Sequence, residues 1–166
     1  MRIRDAKKEE IPLIRDQRVD AYRVYENVIN EEHWQALKAS ISSDADSEPG
    51  VELMVAEIEG KIAGSVALFP AHAVAYDGLE EEITYPEIRV LAVDPYSRGK
   101  GVATALMEEC CRRAKAKGYN SVGLHTGSFM TGAIKLYERL GFQRLPQYDF
   151  KPIDDDIIVK AFQRNL

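Results

Sequence analysis

Residues 90–107 constrain the fold of this chain more than any other stretch. Val90-Leu91-Ala92-Val93 reads as an apolar strand, and Asp94-Pro95 ends it, because proline cannot donate to a ladder. A basic turn follows, Ser97-Arg98-Gly99-Lys100-Gly101, and Val102-Ala103-Thr104-Ala105-Leu106-Met107 continues as a helix. Such a turn suits phosphate. Glycine lets the backbone approach a ligand closely, and the first N–H groups of a helix lack intrahelical partners. Arg98 and Lys100 place positive charge at the same point. Two common phosphate loops do not fit. A P-loop follows Gly-Lys with Ser or Thr, whereas Gly99-Lys100 is followed by Gly101. The dinucleotide fingerprint wants Gly or Ala where Thr104 stands. On this stretch alone, glycines that serve only the turn are the competing reading.

A second run narrows the choice. Ala133-Ile134-Lys135-Leu136-Tyr137-Glu138-Arg139-Leu140-Gly141-Phe142 carries Ala133, Leu136, Tyr137 and Leu140 at helical spacing, so they share one face. Gly141 sits where a glycine stops a helix, and Phe142 opens an extended segment. Between the two runs the pattern predicts a helix over 99–117 and a strand over 121–126.

Together these runs resemble the two signatures of the GNAT superfamily of N-acetyltransferases. The first is Arg98-x-x-Gly101-x-Ala103 after an apolar strand, and the second is Ala133-x-x-Leu136-Tyr137-x-x-x-Gly141-Phe142 without gaps. The resemblance covers 83–142 at motif level and the remainder in element order only. It implies a single-domain α/β fold over 1–166. The sheet is mixed and mostly antiparallel, splayed between its fourth and fifth strands, with helices on both faces and acetyl-CoA in the gap. It also implies a cofactor site. Backbone groups of Leu91, Ala92 and Val93 would hold the pantetheine arm, and those of Arg98, Gly99, Lys100, Gly101, Val102, Ala103 and Thr104 the diphosphate. No metal is implied.

The rest of the chain agrees with this order. Residues 2–5 form a short strand. A helix opens at Lys7-Lys8-Glu9-Glu10, with Pro12 in its first turn and Ile11, Ile14, Val19 and Tyr22 as its apolar positions. A second helix covers 31–42 and carries Trp34 and Leu37. Strands over 51–57 and 61–69 form a hairpin about Glu59-Gly60. Residues 71–82 are a loop or irregular hairpin, 83–93 the central strand, and 142–150 with 156–162 a closing hairpin.

Composition sets outer bounds. The 166 residues suit one domain, and 45% hydrophobic content supports a full core. No apolar run reaches the roughly 20 residues of a membrane helix, and the first residues lack the apolar core of a signal peptide, so a cytoplasmic protein is expected. Net charge of −5 argues against nucleic-acid binding, yet seven basic residues oppose three acids over 89–117, where a polyanionic cofactor would sit. The bases from Arg112 onward also suit a helix C-terminus. Cys110 and Cys111 are adjacent on a helix and point about 100° apart, so they read as small core residues, not as a disulfide. A homodimer stays open.

The chemistry expected is direct transfer of the acetyl group of acetyl-CoA to a primary amine of a small molecule or peptide. A noncatalytic acyl-CoA-binding or regulatory module on the same fold is the alternative. Tyr137 is the candidate general acid: an ordinary phenol, with a pKa near ~10, can protonate a departing thiolate. A core tyrosine is the competing reading. Glu87 is the candidate base, on a face that period-two geometry shares with Arg89, Leu91 and Val93. An arginine-paired glutamate is its alternative, and His125 is a rival base. Many family members carry asparagine where Met130 stands, so that contact falls to a neighbour such as Ser128 or Thr131. The acids Asp77, Glu80, Glu81, Glu82 and Glu87, with no Lys or Arg among them, suggest a cationic acceptor, and a solvated loop tip at Glu80 to Glu82 is the competing reading.

Overall fold

The computed structural model describes residues 1–73 and 83–166. Its strands are β1 (Arg2–Asp5), β2 (Glu52–Ile58), β3 (Lys61–Phe69), β4 (Glu87–Val93), β5 (Ser121–Gly127), β6 (Gln143–Arg144) and β7 (Val159–Asn165). Its α-helices are α1 (Ile11–Tyr22), α2 (Glu31–Ile41), α3 (Val102–Ala116) and α4 (Thr131–Arg139). The strands form one seven-stranded sheet in the order β1-β2-β3-β4-β5-β7-β6. Every neighbouring pair is antiparallel except β4 with β5. That parallel pair has two matched positions, Glu87 with Gly123 and Ile88 with Leu124. Beyond them the strands part, so the splay expected from the resemblance is present.

Two apolar clusters cover the faces of the sheet. One joins Met54, Val66, Leu68 and Ile88 to Leu106, Met107 and Cys110 of α3 and to Tyr137 of α4. The other packs Ile14 of α1 against Leu53, Val55, Ala67 and Phe69. Cys110 and Cys111 are free and buried, as small core residues would be. Among the described residues, no helix is long and apolar enough to cross a membrane.

Four local expectations change. First, α3 starts at Val102, not at 99, because Gly99 and Gly101 both take φ of 77°, outside the right-handed helical region. Second, β4 starts at Glu87, because Pro86 has no N–H; its carbonyl instead accepts from Gly123 N–H at 3.0 Å. Third, the closing hairpin is thin. β6 has two residues, Pro146 opens a short 3₁₀ turn, and a single bridge joins Phe150 to Val159. Fourth, β4 does not keep period two. Opposite β3 its register passes from Arg89 against Ala67 to Ala92 against Ser65, so Val90 and Leu91 together face Val66. This is a β-bulge, with Val90 at φ of 53°. Leu91 and Val93 therefore pack with the α3 cluster and Val90 with the α1 cluster, and Glu87 does not share their face. Of the acids expected to draw a cationic acceptor, Asp77 and Glu80 to Glu82 lie outside the described residues.

Close approach fixes where α3 crosses the sheet. A Cβ on Gly64 of β3 would lie 2.7 Å from the carbonyl oxygen of Ala92 and 2.9 Å from Cγ1 of Val102. Neither neighbour is a free end. Gly64→Ala is expected to lower stability by about 1–3 kcal/mol, the usual range for overpacking, as read by urea unfolding. An unchanged midpoint would show that the contact relaxes.

Candidate active site

Two cavities open from the splay. The larger, about 640 Å³, lies between β4, β5 and the helical segment α1 and α2. The smaller, about 510 Å³, lies beside the glycine turn and is lined by Leu91, Ala92, Val93, Arg98, Gly99, Gly101, Ala103 and Thr104. They meet at Tyr22, Leu91, Met130 and Tyr137, which line both. The strand residues and glycine turn singled out in the sequence are thus gathered at one mouth of the gap. Lys100 does not line it, and Val102 turns its side chain into the core at 2% exposure.

The turn has the shape of a cradle. No described atom lies within 4 Å of where a Cβ would stand on Gly99 or Gly101. Gly101 is the N-cap of α3, so the free N–H groups of that helix begin there. The cradle and helix end fit a diphosphate.

Tyr137 sits on α4 between the cavities, against the rings of Phe142 and Phe162 at 6.2 and 6.5 Å. Burial drives its hydroxyl far above the ordinary phenol range, and Tyr22 and Tyr25 add to the shift. The proton therefore stays on the oxygen at neutral pH. Tyr22 is pushed up to about 12 by the same desolvation. Tyr25 lines the smaller cavity, whereas Trp34 is core.

Glu87 is 2% exposed and lines neither cavity. Its Oε1 accepts from Arg89 Nε at 3.0 Å, and its Oε2 lies 2.8 Å from His125 Nδ1. The arginine-paired reading of Glu87 is thus present in the geometry. His125 does line the larger cavity, with its Nε2 3.0 Å from the carbonyl oxygen of Tyr148. Both ring nitrogens are engaged. His125 thus stands between the larger cavity and one oxygen of Glu87, and Arg89, which also lines that cavity, holds the other.

Met130 takes the N-cap position of α4, and its Sδ accepts from Thr126 Oγ1 at 3.3 Å. Of the proposed substitutes, Ser128 Oγ accepts from Ile158 N–H, and Thr131 is exposed outside both cavities. Neither stands in for the missing asparagine. Among the described residues no group of three or more His, Cys, Asp or Glu is placed to hold a metal. Burial pushes both cysteine thiols up.

Sequence reasoning missed one charged group on the cavity wall. Ile14, Arg18 and Ala21 are the buried residues of α1, at i, i+4 and i+7. An arginine inside the apolar stripe of a helix was the available signal. Arg18 pairs with Asp46, whose position in the chain gives no hint of it.

The fold of this chain, a sheet that opens between its parallel strands, is shared with solved N-acetyltransferases. The chain belongs to the GNAT family: the model described as Acetyltransferase (GNAT) family matches residues 13–142. The chain is 38% identical over 98 residues to N-acetylaspartate synthetase of Xenopus tropicalis, which covers 59% of this chain and 33% of that protein. It is 31% identical over 110 residues to N-acetyltransferase 8B of Rattus norvegicus, covering 66% of this chain and 47% of that protein. The chain thus spans a third to about half of the length of the curated relatives it matches. Among solved structures, PaiA N-acetyltransferase of Thermoplasma acidophilum in complex with coenzyme A superposes with a TM-score of 0.73, at 15% identity over 99% of this chain and 98% of that one. At that identity the likeness shows the fold.

Removing the Glu87 carboxylate would leave Arg89 and His125 facing each other in a buried site. Glu87→Ala is expected to cost about 3 kcal/mol, the range for breaking a buried pair from one side. Urea unfolding measures it, and a loss below 1 kcal/mol would mark Glu87 as dispensable to the fold.

Proposed function

We propose that this chain transfers the acetyl group of acetyl-CoA directly to a primary amine of a small molecule or peptide. The observation that carries this reading is the meeting of the two cavities at Tyr137: one bears the glycine cradle, the other offers room for an acceptor. Residues 1–166 would act as one catalytic domain.

When bound, acetyl-CoA supplies an acyl group activated as a thioester. The chain's part is positioning and proton handling. Backbone groups of Leu91, Ala92 and Val93 would hold the extended arm where β5 has left β4. The bulge at Val90 and Leu91 turns main-chain groups out of the ladder with β3, which frees them for a carbonyl oxygen in the gap. Backbone N–H groups of Arg98, Gly99, Lys100, Gly101, Val102, Ala103 and Thr104 would take the diphosphate, and Arg98 adds charge beside them. Tyr137 would donate its proton toward the departing sulfur. Its raised pKa keeps that proton in place at rest, and a thiolate developing alongside is what draws it into a hydrogen bond or transfer. For His125, braced by Glu87 at Nδ1, to receive the proton that the amine sheds, its Nε2 would have to leave the carbonyl oxygen of Tyr148 and turn a lone pair to the cavity. Glu87 thus acts as a positioning group behind His125.

Two free cysteines buried in the core support a reducing, cytoplasmic setting for the domain. The charge balance supports a small-molecule or peptide acceptor over nucleic acid.

Three outcomes follow. Tyr137→Phe keeps the packing against Phe142 and Phe162. It should retain acetyl-CoA affinity and lose about 10²-fold in turnover, measured as thiol release. Full turnover would return Tyr137 to the core, and binding without any wild-type turnover would favour the noncatalytic module. At Gly101 a φ of 77° strains any side chain, so Gly101→Ala, the smallest addition, is the loop test. Its methyl group would enter the cradle, and calorimetry should show acetyl-CoA affinity falling by about tenfold or more while the protein stays folded. A folded Cys110→Ala/Cys111→Ser protein should still transfer acetyl, and an acetyl-cysteine captured by mass spectrometry during wild-type turnover would contradict direct transfer.

A further inference from the structure

Four buried side-chain polar atoms lack a hydrogen-bond partner among the described residues, and two of them, Nε and Nη2, belong to Arg18. Arg18 is 1% exposed and lines the larger cavity. Its third nitrogen, Nη1, is well used: it donates to the carbonyl oxygen of Ile41 at 2.7 Å and to Oδ2 of Asp46 at 3.0 Å. Nε and Nη2 form one side of the planar guanidinium. Their N–H bonds run parallel, the arrangement that grips both oxygens of a carboxylate.

Among the described residues, charge at this wall is unbalanced in the same sense. Asp46 is shared, because Arg15 Nη2 reaches its Oδ1 at 2.6 Å, so two guanidinium groups meet one carboxylate. Across the cavity Arg89 adds a further cation, itself paired with Glu87. His33, also on the wall, is matched by Asp155 at 2.7 Å. A buried guanidinium with half its donors idle is costly, and an anion in the cavity removes that cost.

We propose that Arg18 binds the carboxylate of the acceptor, so that the amine acetylated belongs to a free amino acid. This rests on the acetyl-transfer reading above. Placement limits the size of the acceptor. Arg18 and Tyr22 are four residues apart on the same face of α1, about 6 Å along the helix, and Tyr22 stands where the two cavities meet. An acceptor held at Arg18 reaches the junction only if its amine lies a few bonds from its carboxylate. A lysine side chain on a folded protein does not meet that condition. A guanidinium edge grips a phosphate in the same two-pronged way, so the test sets one against the carboxylate.

The test compares L-alanine, L-leucine and L-phenylalanine with their carboxamides, and with O-phosphoethanolamine, as acceptors for the wild-type protein. The amine of a carboxamide is the less basic of each pair and so more often neutral, which means that a preference for the acid runs against intrinsic reactivity. The expected result is a kcat/KM at least tenfold higher for the preferred acid than for its amide, the range of a charge-assisted hydrogen bond. Arg18→Met should abolish the difference, chiefly through KM. Arg18→Lys, which keeps a point charge but loses the two-pronged edge, serves if the methionine variant does not fold. Equal use of acids and amides would overturn the proposal while leaving acetyl transfer intact. Preference for O-phosphoethanolamine would replace carboxylate by phosphate and also overturn it. A second readout needs no turnover: N-acetyl-L-leucine, and not its amide, should raise the melting temperature of the protein with coenzyme A present. If no amine is acetylated but that selective rise is seen, the carboxylate site stands and the transfer reading falls. If neither is seen, both fall.

Discussion

Two rungs of parallel pairing, Glu87 with Gly123 and Ile88 with Leu124, join the halves of the sheet, and the site depends on their being so few. A longer β4 and β5 ladder would leave no gap. With none, the two halves would be separate sheets. Main-chain groups past the junction have lost their neighbour strand and need other partners. The gap is thus a cleft whose walls already carry donors and acceptors along an extended path. The brace of Glu87 and His125 spans the same junction two residues further along β5, where backbone pairing has stopped. A buried side-chain contact therefore takes over from the ladder at the point where the ladder ends.

Different physics governs the two ends of the cleft. At the cradle the main chain dominates: glycines at positive φ, an uncapped helix end and a bulge whose valine is held at an angle that β-branched residues rarely adopt. At the other end side chains dominate, with Arg18, Asp46, Arg89 and His125 set in an apolar frame of Phe69, Phe129 and Phe150. A main-chain site is indifferent to most substitutions of its own residues, whereas a side-chain site changes with each one. The cleft thus pairs a mouth suited to one constant ligand with a pocket free to differ in what it accepts.

What was legible in the sequence follows this division. The glycine turn, the helix stop at Gly141 and the order of elements along the chain are each encoded by local patterns, and all were readable. The bulge was not. Nothing in Val90 itself favours φ of 53°; the register of β3 against β4 imposes it, so a strand that reads as period two on its own changes face midway. Glu87 and His125 are 38 residues apart, and Arg18 and Asp46 are 28 apart. Such pairs exist only once the sheet and helices have met. The closing hairpin read as longer than it is, because its apolar residues suit a strand while Pro146 and Pro152 interrupt it.

The narrow junction also decides where the molecule gives way. Within each half, the long strands are stitched by fuller antiparallel ladders, such as the seven matched positions of β5 and β7, and only the short β6 is held as lightly as the junction. Parting one of those breaks many bonds at once. Parting the junction breaks few, and local opening follows the least costly fracture. Of the partings between the long strands, widening the cleft therefore breaks the fewest ladder bonds. A ligand arm lying along both walls would act as a clasp across that narrow junction.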